Sequence, residues 1–137
     1  LAKDGEGATK LIECNLVGAK TLEDATELAK SVIHSSLLKC AIFGADANWG
    51  RILCALGYAD ADFDPTKVDV SFTSSKGTID VCKNGFGVPF SEDLASEVLK
   101  QDEIIISINL HQGSESATAW GCDLTYEYVK INGDYRS

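Results

Sequence analysis

Seven apolar residues, Leu22, Ala25, Leu28, Ala29, Val32, Ile33 and Leu37, recur at spacings of three and four. That period is the signature of an amphipathic helix, whose single apolar face must be covered by something else. Thr21 precedes Asp24 at the capping-box offset and marks its start. Immediately before it, Leu11 to Val17 is apolar and bounded by Gly5, Gly7 and Gly18, which predicts a strand. The chain therefore opens by laying a helix beside a strand, and the remainder follows suit. Asp46 or Asn48 can cap a second helix with the stripe Trp49, Ile52, Leu53 and Leu56, stopped by Gly57. Asp64-Pro65 marks a turn. Val68, Val70 and Phe72 alternate with polar residues, and Ser74 to Gly77 turns the chain into Thr78 to Cys82, a hairpin; Asn84-Gly85 is a further turn. Ser91 caps a helix with Glu92 and Asp93 in its first turn, and Leu94, Ala95, Val98 and Leu99 face inward. Ile104 to Leu110 reads as a core strand, with Ser116 to Trp120 as its neighbour after a polar turn. Leu124 to Val129 reads as a short helix or a strand. The class is α/β or α+β, a mixed sheet packed with amphipathic helices.

At 137 residues with 45% hydrophobic content, this is a single domain (1–137) able to bury about two-thirds of its unfolded surface. No apolar run approaches the roughly 20 residues of a membrane span. The net charge of −9, without a Lys/Arg cluster, argues against nucleic acid as a partner. The sequence contains no methionine, so it reads as a piece processed or excised from something longer. Five cysteines (Cys14, Cys40, Cys54, Cys82, Cys122) form neither a disulfide framework nor C-x-x-C metal pairs; buried, reduced thiols in a cytoplasmic protein are the expectation. His34 and His111 lack paired metal spacing and read as solvated or core-satisfied histidines; no metal site is expected.

Two segments invite a functional reading. Asp4-Gly5-Glu6-Gly7 is a tight turn whose glycines supply positive φ, or else a place where a ligand approaches the backbone beside Glu6. The tail from Trp120 to Ser137 keeps a Trp, three Tyr and alternating apolar positions, whereas chain ends are usually frayed and polar. Such a tail is docked, and it carries Asn132, Ser137 and a carboxylate with it. Phe43 to Arg51 resembles a phosphate loop before a helix but lacks both glycine-rich signatures, so helix capping and an Arg51 ion pair are expected instead of nucleotide binding.

Three blocks, Asp4-Gly5-Glu6-Gly7-Ala8-Thr9-Lys10, Ala41 to Arg51 and Ala119 to Ser137, resemble in sequence and order the C-terminal half of ornithine acetyltransferase, also called glutamate N-acetyltransferase, and its bacterial members most. The resemblance implies a chain that cleaves itself before a threonine into subunits that stay associated as an α2β2 assembly. The freed threonine takes acetyl from N-acetylornithine and passes it to glutamate in arginine biosynthesis; some members also accept acetyl-CoA. No cofactor is implied. An N-terminal threonine can use its own amine as base, and oxyanion donors come from the other subunit. This sequence begins with Leu1, so by that resemblance no catalytic residue lies within it: the nucleophilic threonine lies upstream, in the remainder of the β subunit. Substrate-binding positions carried over by motif are Glu6, Asn132 and Ser137. A carboxylate suits an ammonium, while an amide and a hydroxyl can donate to an anion. An N-terminal-nucleophile peptidase domain and a non-catalytic binding or scaffold domain are the alternatives.

Overall fold

The computed structural model describes residues 10–122 and the backbone of 127–131. Among these, seven strands form one mixed sheet: β1 (Leu11–Ala19), β2 (Asp69–Ser74), β3 (Gly77–Lys83), β4 (Phe86–Gly87), β5 (Glu103–Asn109), β6 (Glu115–Cys122) and β7 (Glu127–Ile131). Their spatial order is β4-β3-β2-β5-β1-β6-β7. β1 and β5 run parallel, and every other neighbouring pair is antiparallel. Four helices accompany the sheet: α1 (Leu22–His34), α2 (Ser36–Phe43), α3 (Trp49–Gly57) and α4 (Glu92–Leu99).

The alternation in each strand places one row of side chains in the core. Register aligns Ile12, Cys14 and Leu16 of β1 with Ile104, Ile106 and Ile108 of β5, and Ile106 and Ile108 with Phe72 and Val70 of β2. All of these are buried, and they form one cluster with Ala25, Leu28, Ala29, Val32 and Ile33 of α1, Ile52 and Leu56 of α3, and Ala95, Val98 and Leu99 of α4. Burying one of the Val, Leu, Ile or Phe side chains stabilises by about 1.5–3 kcal/mol relative to exposure. α1 lies on β1 and β6, and α4 on β2 and β3.

Several expectations are corrected. Leu37 does not continue the first helix. Ser35, with extended φ and ψ of −72° and 110°, ends α1 and starts α2, its hydroxyl accepting from the Leu38 amide, and Leu37 is left 61% exposed. Ser116 to Trp120 lies in β6, which pairs with β1 rather than with β5, because β1 occupies the slot between them. Leu94 is 38% exposed at the rim, near the β2–β3 turn, instead of facing fully inward. Gly18 does not end β1: the strand continues through a register shift between Leu16 and Ala19, and Gly18 adopts φ +80° there. A Cβ at Gly18 would collide with Asn109 Oδ1 and come within 2.7 Å of the His111 amide nitrogen. Of the cysteines, Cys14, Cys82 and Cys122 are buried, whereas Cys40 and Cys54 are exposed on α2 and α3, where they face away from the core.

Other expectations hold. Thr21 accepts from the Asp24 amide, Asn48 (not Asp46) accepts from the Arg51 amide at the start of α3, and Ser91 accepts from the Leu94 amide at the start of α4. Pro65–Lys67 is a 3-10 turn capped by Asp64. Asn84 and Gly85 adopt φ of 51° and 79°, as the tight turn between β3 and β4 requires. The ambiguous last segment is a strand from Glu127.

Candidate functional site

The sheet has a second face, turned away from the helices, and it is polar. Residues opposite one another in a ladder share a face, so register sets Asp80, Ser71, Ser107, Asn15 and Thr118 in one row across five strands. The next row holds Thr78, Thr73, Ile105, Glu13 and Trp120. Side chains on this face are hydrogen-bonded to one another. The Trp120 Nε1–H donates to Glu13 Oε1 at 2.8 Å, Asn15 Nδ2 donates to Glu13 Oε2 at 2.8 Å, and the Thr118 hydroxyl donates to Asn15 Oδ1 at 2.9 Å. The carboxylate of Glu13 thus has both its oxygens on neutral donors. Burial and, less strongly, the charge of Glu13 on the same strand push the Cys14 thiol up to about 12. An open cleft of about 510 Å³ lies at the Leu11 end of the sheet, with Glu13, Thr73, Ser75, Lys100 and Gln101 on its walls. It presents carboxylate, ammonium, hydroxyl and amide groups, the donor and acceptor set that a small polar solute requires.

Described residues of each of the three sequence blocks adjoin this end of β1. Lys10 closes the first block and is buried. Its ammonium donates to the carbonyl oxygens of Ile42 at 2.8 Å and Leu99 at 2.6 Å, the C-terminal ends of α2 and α4. Ile42 belongs to the second block, which then wraps α2 into a tight end. The Ala45 and Asp46 amides donate to the Ile42 and Ala41 carbonyls, with Ala45 in the left-handed region at φ 57°. Asn48 Nδ2 donates to Asp46 Oδ2 at 3.2 Å while its Oδ1 caps α3. The Arg51 guanidinium donates to the Leu37 carbonyl at 2.8 Å rather than to the expected carboxylate, because the turn at Ser35 brings that carbonyl within its reach. The third block enters through Ala119 and Trp120 of β6, opposite Cys14 and Glu13.

Glu6, Asn132 and Ser137 all lie outside the described residues, as do the Asp4 to Gly7 turn and Leu124. The strands that lead to them leave opposite ends of the sheet. Leu11 pairs with Cys122, whereas β7 ends at Ile131 opposite Ala117, which pairs with Leu16. At about 3.3 Å per residue and 4.8 Å between strands, these two exits stand about 20 Å apart.

His34 is exposed in the last turn of α1, and His111 Nε2 bonds Asp69 Oδ2 at 2.8 Å. Burial alone would raise the Asp69 carboxyl, but the Asn84 amide and the His111 ring outweigh it and hold the group below its usual range. Among the described residues no three His, Cys, Asp or Glu side chains gather as metal ligands, and no helix is long and apolar enough to cross a membrane.

Lys10 and Glu13 were not distinguished in the sequence. Their partners lie 89 and 107 residues away, and no local pattern announces such a contact.

Comparison with known proteins supplies the remaining finding. The sequence model of the ArgJ family matches residues 1–137. Over the whole chain the sequence is 58% identical to the arginine biosynthesis bifunctional protein ArgJ 1 of Clostridium acetobutylicum, and 58% identical to ArgJ of Caldanaerobacter subterraneus subsp. tengcongensis. It spans 34% of the length of each of these relatives. The crystal structure of ArgJ from Bacillus halodurans superimposes with a TM-score of 0.82 at 46% identity, covering 91% of this chain and 57% of that one.

Proposed function

The chain belongs to the ArgJ family, and on that premise we propose that it is the C-terminal domain of an acetyltransferase that moves acetyl from N2-acetylornithine to glutamate. The match along all 137 residues is the observation that carries the reading. The complete protein cleaves itself and frees an N-terminal threonine, which lies in the part of the protein outside this chain. That hydroxyl, with the threonine's own amine as base, attacks the acetyl carbonyl of acetylornithine. Ornithine leaves with a proton and an acetyl-threonine ester remains. The amine of glutamate then attacks the ester and restores the hydroxyl. The assembly is an α2β2 heterotetramer in the cytoplasm.

Residues 1–137 contribute a wall of the amino-acid pocket. Glu6 faces the substrate's ammonium, and Asn132 and Ser137 donate to its anionic groups. A charge-assisted contact contributes about 1.5–3 kcal/mol. The polar, mutually bonded sheet face beside Trp120 supports this reading, because it gives the third block a fixed surface to start from.

The test is expression of this chain with the missing upstream part, followed by assay of acetyl transfer from acetylornithine to glutamate. Transfer is expected, and Glu6→Ala should raise KM for acetylornithine by about tenfold to a hundredfold. An inactive complete protein overturns the activity; an unchanged KM and kcat in the variant overturns the role of Glu6.

A further inference from the structure

We infer that the polar face of the sheet over β2, β5, β1 and β6 is the docking surface for the part of the complete protein that precedes this chain. The inference rests on the reading of residues 1–137 as a C-terminal domain. A sheet face that stays in water ordinarily carries long charged side chains. Here β1, β2, β5 and β6 contain no lysine or arginine. The outward row Ser71, Ser107, Asn15 and Thr118 is short and neutral, and Trp120 stands in the row beside it. Polar groups on the face are bonded to one another: Glu13 to Trp120 and Asn15, Thr118 to Asn15, and Thr73 to Thr78. Groups already paired in this way lose little when water leaves. A charge-poor centre that includes a tryptophan is the composition of a buried interface.

Size and charge select the occupant. From β3 to β6 the face measures roughly 20 Å in each direction by strand geometry. A single extended segment covers about 5 Å of that width, so a surface this broad calls for a partner of domain size. A second copy of this chain fits badly. Two-fold symmetry sets a patch against itself, and it would bring Glu13, Asp69, Asp80 and Glu103, all on this face by register, against their own kind on chains of net charge −9. This chain spans 34% of the length of its relatives, so the rest of the complete protein is large enough to supply the partner. The partner surface is neutral at its centre and basic opposite Asp80 and Glu103 at the margins. An open cleft of about 370 Å³, with Asn15, Ser71 and Ser107 on its walls, gives its side chains a place to enter.

The experiment uses the complete protein and has two readouts. In Ser107→Cys, the introduced thiol opens onto the cleft and is alkylated with a maleimide before and after unfolding in urea, with peptide-resolved mass spectrometry. A covered face slows native labelling by at least about a hundredfold relative to the unfolded protein, and a difference below about tenfold overturns the inference. Should Ser107→Cys fail to fold, Ser71→Cys on the neighbouring strand decides by the same criterion. The occupant is identified in the wild-type protein by amine cross-linking from Lys83 and Lys100, which stand on the walls of the two clefts of this face. Cross-links to residues that precede this chain are expected. Cross-links confined to residues 1–137, within one copy or between two copies distinguished by isotope labelling, overturn the inference even where the thiol is protected. Acetyl transfer is assayed on the same wild-type preparation. Inactive protein with a covered face sinks the proposed activity alone, whereas active protein with a freely labelled face sinks this inference alone.

Discussion

Single residues in this protein are held by partners far away in sequence. Asp69 opens β2, and its carboxylate accepts from the Asn84 amide at 3.0 Å and from His111 at 2.8 Å. Burial raises the carboxyl, and these two partners lower it further than burial raises it. A carboxyl depressed in the folded state contributes stability above its usual value of 3.8, and that contribution disappears as pH falls through the folded value. Asp69→Asn is therefore expected to cost less than about 1 kcal/mol at pH 7, since the pair is partly exposed. The difference should shrink towards pH 3. Urea unfolding at both pH values measures it, and a loss that grows in acid would contradict this account. His111 reads in the sequence as either a solvated or a core-satisfied histidine, and the structure leaves it exposed. Its carboxylate partner lies 42 residues upstream, where no local spacing can reveal it.

At the scale of elements, caps and periods were readable and breaks were not. Thr21, Asn48 and Ser91 each sit where a side-chain oxygen meets a free amide, a relation confined to three residues. The break at Ser35 falls inside a continuous three-and-four pattern, so apolar spacing alone extends α1 to Leu37. What ends the helix is a backbone turn at Ser35 that also starts α2. Gly18 is the converse case. It looks like the end of a strand, yet β1 needs it to pass the bulge beside Asn109 and His111. Gly18→Ala would combine an unfavourable φ with contacts below 3 Å to a side chain and a backbone nitrogen. A loss of about 2–4 kcal/mol is expected, seen as a lower melting temperature; an unchanged value would show that the bulge relaxes freely.

Across the molecule, burial sorts five cysteines that look alike in sequence. Cys14, Cys82 and Cys122 lie in strands and are buried, whereas Cys40 and Cys54 are exposed on helices. Burial, followed by the Glu13 charge, pushes Cys14 to about 12, and burial also raises Cys82. Only the thiolate attacks alkylating reagents. In the folded protein at pH 8, Cys40 and Cys54 should therefore label quickly, and the three strand cysteines only after unfolding. Peptide mapping by mass spectrometry reads this out, and rapid labelling of Cys14 in native protein would refute the packing described here.

The candidate site divides in the same way. Glu6, Asn132 and Ser137 emerged from motif resemblance, and they fall outside the described residues. Lys10 and the Glu13–Trp120 pair emerged only from three-dimensional packing.

Residue order alone was enough for the mixed α/β class, the caps, the β2–β3 hairpin and the family, because each depends on spacing within a few positions or on contiguous blocks. The strand order was settled only by folding. β1 inserted between β5 and β6, one polar sheet face, and one lysine joining two helix ends all depend on contacts across many tens of residues. Which distant segments pair is decided by how the whole apolar surface is buried at once, and no short window of sequence contains that information.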